Sequence, residues 1–206
     1  VMAAIIQLLD EAGIRELQDC DTPQAMFAVL TRVARPVAVN GTARHSEQGR
    51  TSERSGSELL SYLTPERVEI DLKGSTKADL VDELLAVANR RGQIRDLDSA
   101  RTSVLAREDQ MSTGMAHGIA VPHAKTEAVD SFIAAIGVKK DGMDFGSVDN
   151  APSNIFVITL SPKDEAATYV KFMAVISRIL DANGRERVLA ARNNKELWEA
   201  LTSVSK

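Results

Sequence analysis

The sequence predicts an α/β fold: a mixed sheet flanked by helices on both faces, preceded by a helical stub. Three features predict it. Residues 132–138 and 155–160 are almost continuously apolar, as strands covered on both faces of a sheet are. Segments with helical periodicity surround these runs in an order that packs helices against a sheet. Residues 1–33 also repeat the pattern of residues 172–204 without a gap, which sets a helical pair ahead of the main body.

The repeat is direct. VMAAIIQLLDEAG lies over FMAVISRILDANG, and QAMFAVLTRV over KELWEALTSV, so Met2 meets Met173, Ile5 meets Ile176, Leu9 meets Leu180, Gly13 meets Gly184 and Phe27 meets Trp198. Residues 1–33 therefore read as the final two helices of a preceding copy of the main domain. Their apolar face, with Ile5, Leu8, Leu9, Phe27 and Leu30, is too small to fold alone and needs a second surface. That surface is the chain's own main domain or the same segment of a second chain, which would give a homodimer through residues 1–33. Residues 34–56, ARPVAVNGTARHSEQGRTSERSG, are rich in Arg, Ser, Gly and Thr and lose apolar periodicity after Val39, the composition of a flexible linker.

The main domain spans residues 57–206. SELLSYL forms a short helix and VEIDL, residues 68–72, a strand after Thr64 and Pro65. Thr76 and Asp79 have capping-box spacing before a helix whose inner face carries Leu80, Val81, Leu84, Leu85 and Ala88, stopped by Gly92. Asp96 or Asp98 starts a second helix that turns Leu97, Ala100, Val104 and Leu105 inward and ends near Arg107 and Glu108. Strands follow over residues 118–121, 132–138 and 155–160, then a helix over about 166–180 and two shorter ones.

Composition excludes several functions. A net charge of -4, spread along the chain, leaves no electrostatic footprint for nucleic acid. The single cysteine, Cys20, forms no CxxC or zinc pattern and suits a reducing cytoplasm. No apolar run reaches the ~18 residues of a membrane span.

The stretch from Arg107 to Lys125, REDQMSTGMAHGIAVPHAK, carries the chemistry. Ser112, Thr113 and Gly114 form a small polar loop whose amides can face an anion, and Arg107 offers a guanidinium for phosphate. Pro122 cannot donate a ladder hydrogen bond, so His123 emerges where the sheet stops. An imidazole with a pKa near ~6.5 is mostly neutral at neutral pH, nucleophilic, and able to pass on a phosphoryl group. On the residues alone, a structural Pro-His remains an alternative. His117 and His123 lack a third nearby ligand, so no metal is expected, and no cofactor motif is present.

The run RExxxSTGxxxGIAxPH resembles the signature of the EIIA domains of the fructose, mannitol and nitrogen-related phosphotransferase systems, and the resemblance extends over residues 57–204. It implies a mixed α/β fold in which a histidine phosphocarrier protein charges His123, Arg107 sits near the phosphate, and a cysteine of a permease B domain receives the phosphoryl group. It makes residues 1–33 an EIIA-like remnant and the setting cytoplasmic, in sugar uptake or its regulation. One departure stands out. Many members carry a second active-site histidine in a pattern like HLxxLAxxSRLL, where this chain has YVKFMAVISRIL, with Tyr169 in the first position. A phenol can donate a hydrogen bond to phosphate but does not become a cation. His117 is the residue available to fill part of that role. The alternative function is a regulatory EIIA-like module, fused to a transporter or regulator, that senses phosphorylation state or is catalytically degenerate.

Overall fold

The computed structural model describes residues 62–163 and 167–202. The expected helical stub over residues 1–33, the linker over 34–56 and nearly all of the short helix from Ser57 lie outside the described residues.

A single 3-10 turn at Pro65–Arg67 leads into β1 (Val68–Glu69). Helices α1 (Lys77–Ala88) and α2 (Leu97–Gln110) follow. The chain then forms β2 (Ile119–Ala120), β3 (His123–Lys125), β4 (Ile133–Met143) and β5 (Ser153–Ser161). It closes with α3 (Ala167–Ile179), α4 (Ala182–Ala190) and α5 (Asn194–Thr202). β4 and β5 are antiparallel at the centre of the sheet; β1 runs parallel to β4, and both β2 and β3 run parallel to β5. The sheet is mixed, as the sequence predicts.

Alternation along the central strands explains their apolar continuity. Ile133, Ala135, Phe156, Ile158 and Leu160 face a core shared with α1 and α2, while Ala134, Ile136, Val138, Ile155 and Val157 face a core shared with α3, α4 and α5. Both faces of residues 133–138 and 155–160 are therefore dry, which is why these runs are almost wholly apolar.

The helix signals act as written. Thr76 Oγ1 accepts from the Asp79 amide and Asp79 returns a bond to the Thr76 amide, a complete capping box. Gly92, with φ +65°, supplies the left-handed stop. Three expectations need correction. Leu97 is exposed rather than inward, because it is the first residue of α2 and the inner stripe of that helix runs through Ala100, Val104 and Glu108. β1 is shorter than residues 68–72, because the Ile70 amide turns to Asn194 Oδ1 at 2.8 Å, although the Leu72 amide rejoins Val138 O at 3.0 Å. His123 begins a strand instead of ending the sheet. Ile119 lies opposite Ile155 and His123 opposite Thr159, the same offset on both sides of Pro122, so β2 and β3 are one edge strand with a break in it. Pro122 lacks the donor but keeps its acceptor, which takes the Thr159 amide at 3.1 Å.

Candidate functional site

The residues ahead of β2 fold back along it. Gly114 lies opposite Ala120, the Met115 amide donates to Ile119 O at 2.7 Å, and the Val121 amide donates to Thr113 O at 3.1 Å. Two successive left-handed residues, His117 (φ 67°) and Gly118 (φ 75°), reverse the chain, as tight hairpin turns require.

This pairing changes the part played by Ser112, Thr113 and Gly114. The Thr113 amide and hydroxyl both donate to Glu108 Oε2, at 2.9 and 2.6 Å, and Thr113 is fully buried. The Gly114 amide donates to Ser112 Oγ at 3.2 Å, and the Ser112 hydroxyl donates to Phe145 O. The amides of Thr113 and Gly114 therefore serve internal acceptors and do not face an anion; the strand-like backbone of the hairpin arm turns them inward. A Cβ on Gly114 would come within 2.8 Å of Ser147 N and Cα, backbone atoms that cannot rotate aside. Gly114→Ala is expected to lower stability by about 1–3 kcal/mol, the common cost of overpacking, measured as a fall in the denaturation midpoint.

His123 is held at one nitrogen and on one face of its ring. Nδ1 lies 2.9 Å from Val121 O. A carbonyl only accepts, so Nδ1 carries the proton and Nε2 carries the lone pair. Nε2 has no hydrogen-bond partner among the described residues. The ring stacks on Tyr169 at the start of α3, with centroids 5.2 Å apart and planes at 29°. Burial holds the His123 pKa below the ordinary histidine value; the Val121 carbonyl opposes this, the positive charge of Arg107 adds to it, and Glu108 opposes it.

Arg107 stands in the last turn of α2, half-buried, with its guanidinium donating to Met111 O at 3.0 Å. It makes no salt bridge with a carboxylate among the described residues, so its charge remains available to an anion near the ring. Burial pushes the Tyr169 phenol up to about 12, with Arg107 pulling the other way, so it stays a neutral donor through the physiological range. Its hydroxyl makes no hydrogen bond to the described residues.

The structure thus stacks His123 on Tyr169, with the positive charge of Arg107 acting on both. Ser112 bonds to Phe145, Thr113 to Glu108 and Val121, and Gly114 to Ser112, none of them directly to these three side chains. His117 is not part of the group: it is exposed at the far end of the hairpin, its amide on Asp149 Oδ2 at 2.8 Å. Four steps along the edge strand, at ~3.3 Å each, separate Ile119 near it from His123. Sequence reasoning missed Glu108 as a site residue, together with Lys77, whose Nζ pairs with Glu108 Oε1 at 2.7 Å. The signal was present in the spacing of Ala100, Val104 and Glu108, which puts an acid on an inward stripe. Among the described residues, no group of three or more His, Cys, Asp or Glu side chains is arranged to hold a metal ion, and no helix is long and apolar enough to cross a membrane.

Comparison with known proteins gives one consistent answer. A family model described as phosphoenolpyruvate-dependent sugar phosphotransferase system, EIIA 2, matches residues 61–204. The fructose-specific EIIA component of Haloferax volcanii is 29% identical over 147 residues, covering 70% of this chain and 96% of its own length. The fructose-specific EIIABC component of Bacillus subtilis is 29% identical over 149 residues, covering 72% of this chain but 24% of that protein, so this chain spans about a quarter of that relative. Among solved structures, nitrogen regulatory protein IIA-Ntr from Neisseria meningitidis superposes with a TM-score of 0.59 at 23% identity, over 69% of this chain and 97% of its own. That likeness shows the shared fold.

Proposed function

Because this chain belongs to the EIIA type 2 family of the phosphoenolpyruvate-dependent sugar phosphotransferase system, we propose that His123 is the residue on which it carries a phosphoryl group. The observation that supports this most is the state of the imidazole. Its Nδ1 proton is committed to Val121 O, which leaves the Nε2 lone pair as the nucleophile beside the charge of Arg107. In the accepting step, Nε2 attacks the phosphorus of a donor phosphohistidine; the new N–P bond forms as the donor's N–P bond breaks, and the donor imidazole leaves. Arg107 balances the charge of the phosphoryl oxygens, and the Tyr169 hydroxyl donates a hydrogen bond to one of them. In the donating step a partner nucleophile attacks the same phosphorus and His123 leaves.

The partners of this reading are a histidine phosphocarrier protein upstream and, downstream, the thiolate of a permease B domain. The name of the EIIABC relative, which joins A, B and C components, supports the second. A cytoplasmic setting follows from the same reading. The test is incubation with phosphoenolpyruvate and the phosphocarrier pair followed by intact mass. One acid-labile, alkali-stable phosphoryl group per chain is expected.

Tyr169 favours a second reading, a regulatory module that holds its phosphoryl group and reports on it. A neutral phenol stabilises a phosphoryl group less than a cationic imidazole would. Tyr169→His is therefore expected to speed transfer about fivefold, the rate equivalent of about 1 kcal/mol between a neutral and a charge-assisted hydrogen bond. Rapid-quench measurement of acceptance and donation checks this. Unchanged rates would mean that position 169 does not touch the phosphoryl group.

A further inference from the structure

We propose that Glu108 is a positioning residue that fixes the tautomer of His123, through a chain of hydrogen bonds running from the protein surface to the imidazole. The proposal rests on the reading of His123 as the phosphoryl acceptor.

The chain is continuous. Lys77 Nζ, partly exposed at the start of α1, pairs with Glu108 Oε1 at 2.7 Å and sits 4.7 Å from the centre of the Phe145 ring. The other carboxylate oxygen, Oε2, accepts both the amide and the hydroxyl of Thr113. Thr113 O then accepts the Val121 amide, and Val121 O accepts the Nδ1 proton of His123. Each link orients the next. The carboxylate fixes Thr113 by two donors, Thr113 fixes the Val121 peptide, and that peptide carries the carbonyl that decides which ring nitrogen is protonated.

A carboxylate suits this place better than a neutral side chain. Glu108 is buried, so its charge requires full pairing, and the three donors supplied by Lys77 and Thr113 provide it. With both oxygens engaged, the group has one orientation. Glutamine at 108 would set its amide nitrogen against either the Lys77 ammonium or the Thr113 backbone amide, both of which only donate. Bonds fail on one side in either orientation, and where they fail at Thr113 the Val121 carbonyl loses its anchor, so the variant divides between an anchored and an unanchored loop.

Two outcomes separate a positioning role from mere support of the fold: the tautomer of unphosphorylated His123 and the nitrogen that becomes phosphorylated. Both can be read by two-bond proton–nitrogen NMR on histidine-labelled protein, at a pH where the ring is neutral. Wild type should show a protonated Nδ1 and phosphorylation on Nε2 alone. Glu108→Gln should show mixed tautomers, a fraction of product on Nδ1, and acceptance slowed by about tenfold or more, as when an orienting carboxylate is removed from a working histidine. Glu108→Asp, which keeps the charge but falls one methylene short of Thr113, should show the same mixture if the glutamine variant fails to fold. A folded variant of either kind with the wild-type tautomer and a rate within about twofold would overturn the proposal. The tautomer is read without any phosphoryl donor, so wild-type protein that takes no label would remove the acceptor reading while the tautomer comparison still decides the role of Glu108.

Discussion

A His123→Ala chain should take up no phosphoryl group under conditions that label the wild type to completion. The effect is the largest expected here because, on the proposed function, the side chain is the covalent carrier and no neighbour can replace it. His117 lies at the other end of the hairpin, and Tyr169 is a neutral phenol whose ionisation is pushed up to about 12. Loss of the ring also removes a stacking partner of Tyr169, so folding must be checked by denaturation alongside intact mass. If the alanine variant carries an acid-labile group to the same extent as wild type, the acceptor is elsewhere and the proposed site is wrong.

Arg107→Met should give the second largest effect, with two signatures that fix its cause. Methionine keeps much of the length of arginine but removes the charge and every donor. Acceptance should slow by about 10²- to 10³-fold, the usual cost of deleting a preorganised group that meets developing charge. The pH profile should also move. A protonated imidazole has no lone pair, so acceptance falls as pH drops through the His123 pKa. Burial first, and Arg107 in addition, hold that pKa below the ordinary value near ~6.5. Without Arg107 the pKa rises, so the fall should begin at a higher pH than in wild type. A slow variant with an unmoved acid limb would place Arg107 away from the ring, and a normal rate would remove it from the site.

The sequence carried the fold well where the signal was local or periodic. The central strands announced themselves because both of their faces are dry, and the capping box at Thr76 and the stop at Gly92 act as sequence rules say they should. The site was legible in part. Arg107, His123 and Tyr169 lie far apart along the chain, and the family resemblance, not periodicity, pointed to their meeting. The amides of Thr113 and Gly114 serve internal acceptors where an open loop was expected, because a short polar run reads equally as a loop or as a hairpin arm, and the bonds that decide go to Glu108 and Ser112. The break at Pro122 was visible, but its consequence was not: only the shared register of β2 and β3 against β5 reveals that the strand resumes. Glu108 is hard to read from sequence because a charged residue is usually exposed, whereas its spacing from Ala100 and Val104 places it inward.

The closed edge beside His123 bears on how long a visitor stays. The hairpin arm from Thr113 to Met115 occupies the main-chain groups along β2, and α2 packs along β3. An incoming protein therefore cannot pair a strand of its own with β2, the mode of recognition that depends on a ladder of backbone bonds. It must meet this flank through side chains alone. Contacts of that kind give residence times that individual residues can shorten or lengthen, because differences among related complexes lie mostly in the off-rate. For a relay that must be loaded by one protein and emptied by another, quick departure keeps the shared surface clear between visits.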